Sequence, residues 1–289
     1  MLYRSYAPAP PLSDFIERFW LCSDAPPHLM ERILPSGTIE MVFNLRDAEI
    51  RIYDPSRLDH VKRLSGAVVS GTYGSFFVID TLVHASMLGV HFRPGGAFPF
   101  LGVPACEMAD THVDLAMFWG PSAAELRERL CLAATPEERF LLLEAVLVRR
   151  LRQPPKRHGA VSFALDAFER TDMDVSVRTV AQRVGLSQRR FIQVFAAEVG
   201  LTPKLYGRVR RFQRARKLVG KVAAPDWAGI AAACGYFDQS HLIRDFRAFS
   251  GLSPTAYLRQ VSERLLPNHL LSAGTVNFFQ DRLRPPAAE

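Results

Sequence analysis

Apolar and polar positions alternate with a period of two over Thr38–Leu45, where Ile39, Met41, Phe43 and Leu45 share one face, and again over Glu49–Tyr53. Such alternation predicts half-buried β-strands. Ala67–Asp80 and Ala85–Phe92 are further strand segments, broken at Gly66, Gly71 and Gly74, and Pro35-Ser36-Gly37 and Arg93-Pro94-Gly95-Gly96 supply turn chemistry. Before them, Met1–Pro11 is proline-rich and reads as extended, and Ser13 is placed to cap a short helix over Phe15, Ile16 and Phe19. Residues 30–96 therefore read as a small β-rich unit, a barrel or a sandwich. From Ala97 the pattern turns helical. Thr135-Pro136-Glu137-Glu138 combines an N-cap, a proline at the first position and a glutamate at the third, and Phe140, Leu143, Leu147 and Leu151 give the helix that follows its buried face. Gln153-Pro154-Pro155 ends that helix, and the run to Gly159 is the expected linker.

Beyond the linker one pattern is written twice between Val177 and Tyr257. Aligned on Gly185 and Gly235, each copy has an alanine four residues earlier (Ala181, Ala231), then a phenylalanine (Phe195, Phe246), a glycine (Gly200, Gly251), a proline (Pro203, Pro254) and a tyrosine (Tyr206, Tyr257). The register slips by one residue between Gly235 and Phe246. An internal repeat of this size is a duplicated supersecondary unit. In the first copy Thr179, Val180 and Val184, then Phe191, Val194 and Phe195, recur at helical spacing on one face, with Gly185 between the runs to turn the chain. Ser187 and Asp238 are good N-caps for the second helix of each copy. A helix pair joined by a short glycine turn is either an ordinary helical hairpin or a helix-turn-helix whose second helix enters the DNA major groove.

Charge weighs between those alternatives. The 289-residue chain has a formal net charge of +7, all of it contributed by the C-terminal part: residues 1–155 hold 15 Lys and Arg against 18 Asp and Glu, whereas 156–289 hold 21 against 11. The stretch joining the copies, Pro203–Lys221, carries Lys204, Arg208, Arg210, Arg211, Arg214, Arg216, Lys217 and Lys221 with no acid among them. Leu205, Val209, Phe212, Ala215 and Val219 thread it with an apolar seam, which predicts a helix docked between the two units. A solvated helix face mixes both signs, so this one favours a polyanion partner. No 18-residue apolar run occurs, which argues against a membrane partner. Cys22, Cys106, Cys131 and Cys234 lie far apart with no metal-binding spacing, and the N-terminus lacks the apolar core of a signal peptide, so the expected compartment is the cytoplasm and no metal or cofactor is expected.

The repeated segment resembles the DNA-binding domain of AraC/XylS-type transcription regulators, two helix-turn-helix units joined by a long helix. The resemblance rests on Gly200-Leu201-Thr202-Pro203, Tyr206, Arg211, Ala215 and Leu218, then Gly235-Tyr236, Asp238-Gln239-Ser240-His241, Gly251-Leu252-Ser253-Pro254 and Tyr257. It implies recognition helices over Ser187–Glu198 and Asp238–Phe249. Residues free of the apolar face then become the DNA readers: Gln188, Arg189, Arg190 and Gln193 in the first helix, with Ile192 against a thymine methyl, and Gln239, Ser240, His241 and Arg244 in the second. Ser187, Arg208, Arg211 and Arg247 are assigned to phosphate contacts or to bracing the domain.

Pro35–Asn44, Gly89–Ala97 and Phe100–Pro104 resemble an uncharacterised N-terminal domain often fused to AraC-type DNA-binding domains. The better-known AraC-type regulators carry a cupin-like β-barrel there that binds a small effector and dimerises, an analogy at the level of fold only. The expected fold class is α+β: a β-rich sensor or dimerisation domain with C-terminal helices over 1–152, a linker over 153–159, an all-α double helix-turn-helix domain over 160–262 and a tail over 263–289. The tail carries Val276, Phe278 and Phe279, which should pack back onto one of the domains. Glu40, His91 and Arg93 are the candidate ligand-binding residues, with His84 beside them; the Arg93 turn either holds an anion or makes a structural ion pair. No nucleophile motif, phosphate loop or dinucleotide fingerprint is present, so the chain reads as a regulator and not an enzyme. Its expected partners are double-stranded DNA, a small effector, a second copy of the chain and RNA polymerase. An enzyme with a DNA-binding appendage and an architectural DNA binder are the alternatives.

Overall fold

The structure, a computed structural model, describes residues 2–23, 30–80, 84–151, 157–169, 176–219, 225–263 and 278–281. Most of the expected linker, Lys221 and Val276 lie outside the described residues.

The N-terminal region is built on two antiparallel sheets. The first contains β1 (Leu2–Tyr6), β2 (Ile16–Ser23), β4 (Glu40–Asn44), β7 (Ala67–Ser70), β9 (Met87–Phe92) and β10 (His112–Asp114), in the order β1-β2-β9-β4-β7-β10. The second contains β3 (Met30–Ile33), β5 (Glu49–Asp54), β6 (Arg57–Ser65), β8 (Phe77–Ile79) and β11 (Phe278–Asp281), in the order β11-β3-β8-β5-β6. The sheets face one another without closing into a barrel, so of the two architectures read from the pattern the sandwich is the one adopted, and the cupin-like barrel is not. Trp20, Cys22, Val68 and Met87 of the first sheet meet Ile50 of the second. The first sheet's other face is covered by the helices α1 (Phe98–Leu101), α2 (Ala116–Trp119), α3 (Ser122–Leu132) and α4 (Pro136–Arg150), which enclose Phe19, Met41, Phe43, Val90 and Phe92. Thr135 forms the expected capping box with Glu138 at the start of α4.

Three departures from the pattern have physical causes. Phe15, Ile16 and Phe19 belong to no helix: a short 3-10 turn over Leu12–Asp14 leads straight into β2. From Phe19 on that strand is buried on both faces, so Phe19, Trp20, Leu21 and Cys22 form an apolar run without the alternation that marks a strand. The segment Ala67–Asp80 is two strands in different sheets, separated at Gly71–Gly74. Strand β6, Arg-Leu-Asp-His-Val-Lys-Arg-Leu-Ser, carries little apolar surface because it is a charged sheet edge, which discourages pairing with other chains. The tail strand β11 pairs with β3, Phe278 opposite Ile33, and so returns to the N-terminal sheets.

The C-terminal region is helical: α5 (Gly159–Glu169), α6 (Val177–Arg183), α7 (Gln188–Val199), α8 (Pro203–Val219), α9 (Trp227–Ala233), α10 (Gln239–Ser250) and α11 (Pro254–Glu263). Each repeat closes its helices in the same way. Ser176, Ser187, Asp226 and Asp238 cap the N-termini through their side chains, and Gly185, Gly200, Gly235 and Gly251 adopt the left-handed conformation that turns the chain. The core runs through Phe191, Phe195, Tyr206, Phe212, Phe246 and Phe249, with α8 wedged between the units. Phe195 meets Tyr206 edge-on at 5.6 Å between ring centroids, and Phe246 meets Phe212 at 5.0 Å.

The two regions touch along a continuous seam. Leu34, from the turn between β3 and β4, is buried in the helical core. Gln213 on α8 donates to the Pro35 carbonyl at 2.5 Å, and Gly37 lies against the ring of Tyr206. Arg32 donates to the Ser250 carbonyl at 2.8 Å.

Candidate nucleic-acid interface

The two second helices of the repeats, α7 and α10, present polar faces that nothing else among the described residues covers. On α7, Gln188, Arg189, Arg190, Ile192 and Gln193 are exposed, while Phe191 and Phe195 point into the core and Val194 is half-buried against it. On α10, Gln239, Ser240, Arg244 and Arg247 are exposed, while Leu242 and Phe246 are buried. Helical periodicity forces this division: the apolar stripe must face α8, so the intervening positions face solvent. Ser187 accepts from the Arg190 amide at 3.2 Å, and Asp238 accepts from the His241 amide at 2.7 Å, which fixes the start of each helix. His241 differs from its neighbours. It is half-buried with its ring edge-on to Tyr236 at 5.3 Å, a position that supports the turn. Beside it Phe237 is 93% exposed, an aromatic at the entry to α10 that helical spacing did not single out because it lies in the turn.

The basic helix α8 is different from what its charge suggested. Arg208 gives two hydrogen bonds to Asp245 of α10, at 2.7 and 3.0 Å, and lies over the ring of Phe249. Asp245 is only 1% exposed, so this pair is an internal brace between helix α8 and the second unit. Arg211 sits over the Tyr236 ring, whose hydroxyl burial and the neighbouring Asp245 charge make harder to ionise. Arg210 pairs with Glu169, Arg214 donates to the Phe168 carbonyl, and Arg216 is buried against Gln213. Lys204 and Lys217 are exposed. Much of the cationic run is thus employed in holding helices together. The sequence hint was Asp245 itself, an acid among buried positions of α10, which requires a cation facing it.

The N-terminal candidates are not one site. His91 donates from Nδ1 to the Glu40 carboxylate at 2.8 Å, and its Nε2 is hydrogen-bonded to the hydroxyl of Thr38, in the turn before β4, at 3.3 Å. Burial pushes the Glu40 carboxyl up, but hydrogen bonds from His91 and Trp20 outweigh it and hold the group below its ordinary range. Arg93 is exposed and donates from Nε to the Ser13 carbonyl at 2.8 Å, outside the cavity described next. Glu40 instead lines a cavity of about 100 Å³ between the sheets, together with His84, His112, Tyr73 and Ser70. His112 accepts or donates to Ser70 at 3.2 Å and to the Tyr73 hydroxyl, and burial lowers it to about 3, so its ring is neutral. Sequence spacing gave no sign of this group, because its members come from β7, β10 and the loop between β7 and β8. Among the described residues no cluster of His, Cys, Asp and Glu is arranged to hold a metal, and no helix is long and apolar enough to cross a membrane.

Comparison with known proteins agrees with this division. Residues 180–260 match the family model of a helix-turn-helix domain, and residues 4–114 match that of a domain of unknown function (DUF6597). With the paired glycine turns and their caps, the C-terminal region is an AraC-type helix-turn-helix domain. A curated relative, the probable transcriptional regulator LumQ of Photobacterium leiognathi, is 31% identical over 83 residues, which is 29% of this chain and 33% of LumQ; the match thus spans about a third of that relative's length. Among solved structures, the DNA-binding domain of AdpA in complex with a target DNA is 25% identical and covers 38% of this chain and 99% of its own, with a TM-score of 0.35. Apo ToxT from Vibrio cholerae, 12% identical, covers 84% of this chain and 97% of its own, with a TM-score of 0.47.

Proposed function

We propose that the protein is a sequence-specific DNA-binding transcription regulator, with a sensor in its N-terminal region that responds to a small effector. The observation that carries the reading is the pair of capped helices, α7 and α10, that share one core with α8 and leave their polar faces open. In this reading Gln188, Arg189, Arg190 and Gln193 read one major-groove segment and Gln239, Ser240 and Arg244 the next, about 34 Å along the duplex, with exposed Arg247 left to a phosphate contact. Arginine pairs bidentately with guanine and glutamine with adenine. Ser187, His241, Arg208 and Arg211 hold the readers in place, the first through its cap and the others through the contacts described above. A second copy of the chain and RNA polymerase are the protein partners of this reading, the cytoplasm is its compartment, and it assigns no catalytic step.

Selection of genomic DNA fragments by the purified full-length chain at two salt concentrations tests it. A recurring motif with two blocks about one helical turn apart is expected. Salt-sensitive binding without any motif would instead make the protein an architectural DNA binder.

A further inference from the structure

The cavity between the sheets has a wall chemistry that selects its occupant. Its lining is mostly apolar, from Trp20, Val42, Ile50, Val68, Phe77 and Met87, and among the described residues it includes no lysine or arginine. The charged side chains on it are two carboxylates, Glu31 and Glu40, and Glu40 already has His91 and Trp20 as partners. Two imidazoles complete the polar part. His112 is satisfied on both nitrogens. His84, 5% exposed, donates from Nδ1 to the Asp80 carbonyl, which leaves Nε2 as a bare acceptor, and among the described residues that atom has no hydrogen-bond partner. A buried acceptor without a donor is costly unless something supplies one.

We propose that this cavity is the effector site and that it takes a small, uncharged, ring-sized molecule whose hydroxyl or N–H donates to His84 Nε2, and that it rejects carboxylates. The proposal rests on the reading of the N-terminal region as a sensor and adds the ligand's chemical class. An anion entering here would meet two carboxylates and no cation, with its own desolvation uncompensated. An apolar ring replaces nothing polar and gains the burial. The size is bounded by the cavity: its volume of about 100 Å³ is below the roughly 150 Å³ apolar space that takes benzene, so a single ring bearing nothing larger than a hydroxyl or methyl group is the upper limit of the fit. The site is also placed to report its occupancy. Leu34 and Pro35 line the cavity, and the same two residues supply a buried side chain to the helical core and the carbonyl that Gln213 of α8 grips.

Calorimetric titration of the full chain with phenol, toluene and benzoate tests the class directly and needs no variant. Phenol is expected to bind at least about tenfold more tightly than toluene, equivalent to ~1.4 kcal/mol, and benzoate more weakly than either. In His84→Phe, phenol should fall to the affinity of toluene while toluene keeps its own. Benzoate binding as tightly as phenol, or none of the three binding at millimolar concentration, overturns the proposal. DNA selection on the same preparation keeps the two readings apart: DNA binding without phenol binding removes the cavity proposal alone, and phenol binding without DNA binding removes the regulator alone.

Discussion

The two helix-turn-helix units share a pattern, caps and turns, yet they are anchored in different ways. The first is packed onto the N-terminal region: the 3-10 turn Ala105–Met108 lies on α7, Gly200 abuts the Thr72 side chain and the Ala105 carbonyl, and Gly95 lies against the Glu198 carbonyl. Its link to α8 is aromatic, through Phe195 and Tyr206. The second unit meets the N-terminal region near Arg32 and Phe76, and its link to α8 combines Phe246–Phe212 with the buried Arg208–Asp245 pair. Duplication therefore preserved the reader and left its attachment free to diverge. In the proposed regulator, both units and α8 touch the N-terminal region directly, so a signal arising there has a path into each of them.

The largest test of this contrast is removal of the core links. Phe195→Ala and Phe246→Ala each leave a cavity at a fully buried position, and each should cost about 4 kcal/mol of stability in urea unfolding. Equal losses fit two equivalent cores; a much smaller loss at Phe195 would mean that docking on the N-terminal region compensates for it. Next comes Arg208→Ala, which leaves the Asp245 carboxylate buried without its cation and should cost about 3 kcal/mol, the low end for such a pair because Arg208 is a third exposed. The salt dependence of DNA binding should stay unchanged; a shallower salt slope would return Arg208 to the phosphate contacts.

A glycine pair isolates the docking itself. Gly185 and Gly200 both need the left-handed conformation, so alanine at either costs about 1–2 kcal/mol. At Gly185 the new methyl meets open space, whereas at Gly200 it collides with Thr72 and the Ala105 carbonyl. Gly200→Ala should therefore lose roughly 2 kcal/mol more than Gly185→Ala. Equal losses would show that the first unit is not held to the N-terminal region in solution.

Acid separates the regions in another way. His112 takes a proton in the unfolded chain below about pH 6.5 but in the folded one only near pH 3. Stability falls as pH drops through that window, by up to ~1.4 kcal/mol per pH unit from this group, and His112→Gln should flatten the fall. The smallest effect on stability belongs to the readers. Arg189→Ala and Arg244→Ala should change it by less than about 0.5 kcal/mol while relaxing base discrimination by ~1–3 kcal/mol in the block each helix reads. Loss at one block only is what two independent readers predict.

How far the sequence carried differs between these regions for a physical reason. Helices are local: the spacing of Phe191 and Phe195, the caps at Ser187 and Asp238 and the left-handed glycines are all determined within a few residues, so both units and the exposed faces of α7 and α10 were legible. The strand β2 was not, because from Phe19 on it is buried on both faces and loses its alternation, and β6 was not, because a charged edge carries no apolar period. For Arg208 and Arg211 the sequence left phosphate contact and bracing both open, because their partners, Asp245 and Tyr236, lie in the second unit.

The sequence by itself determined the duplicated reader, its turns and its polar faces, since each depends on neighbours along the chain. Only the tertiary structure decided which arginines brace the helices, that the sheets stay open, and that His84 and Glu40 share a cavity while Arg93 does not. Those outcomes depend on which strands pair and which helices cross, contacts between residues distant in sequence that no local period records.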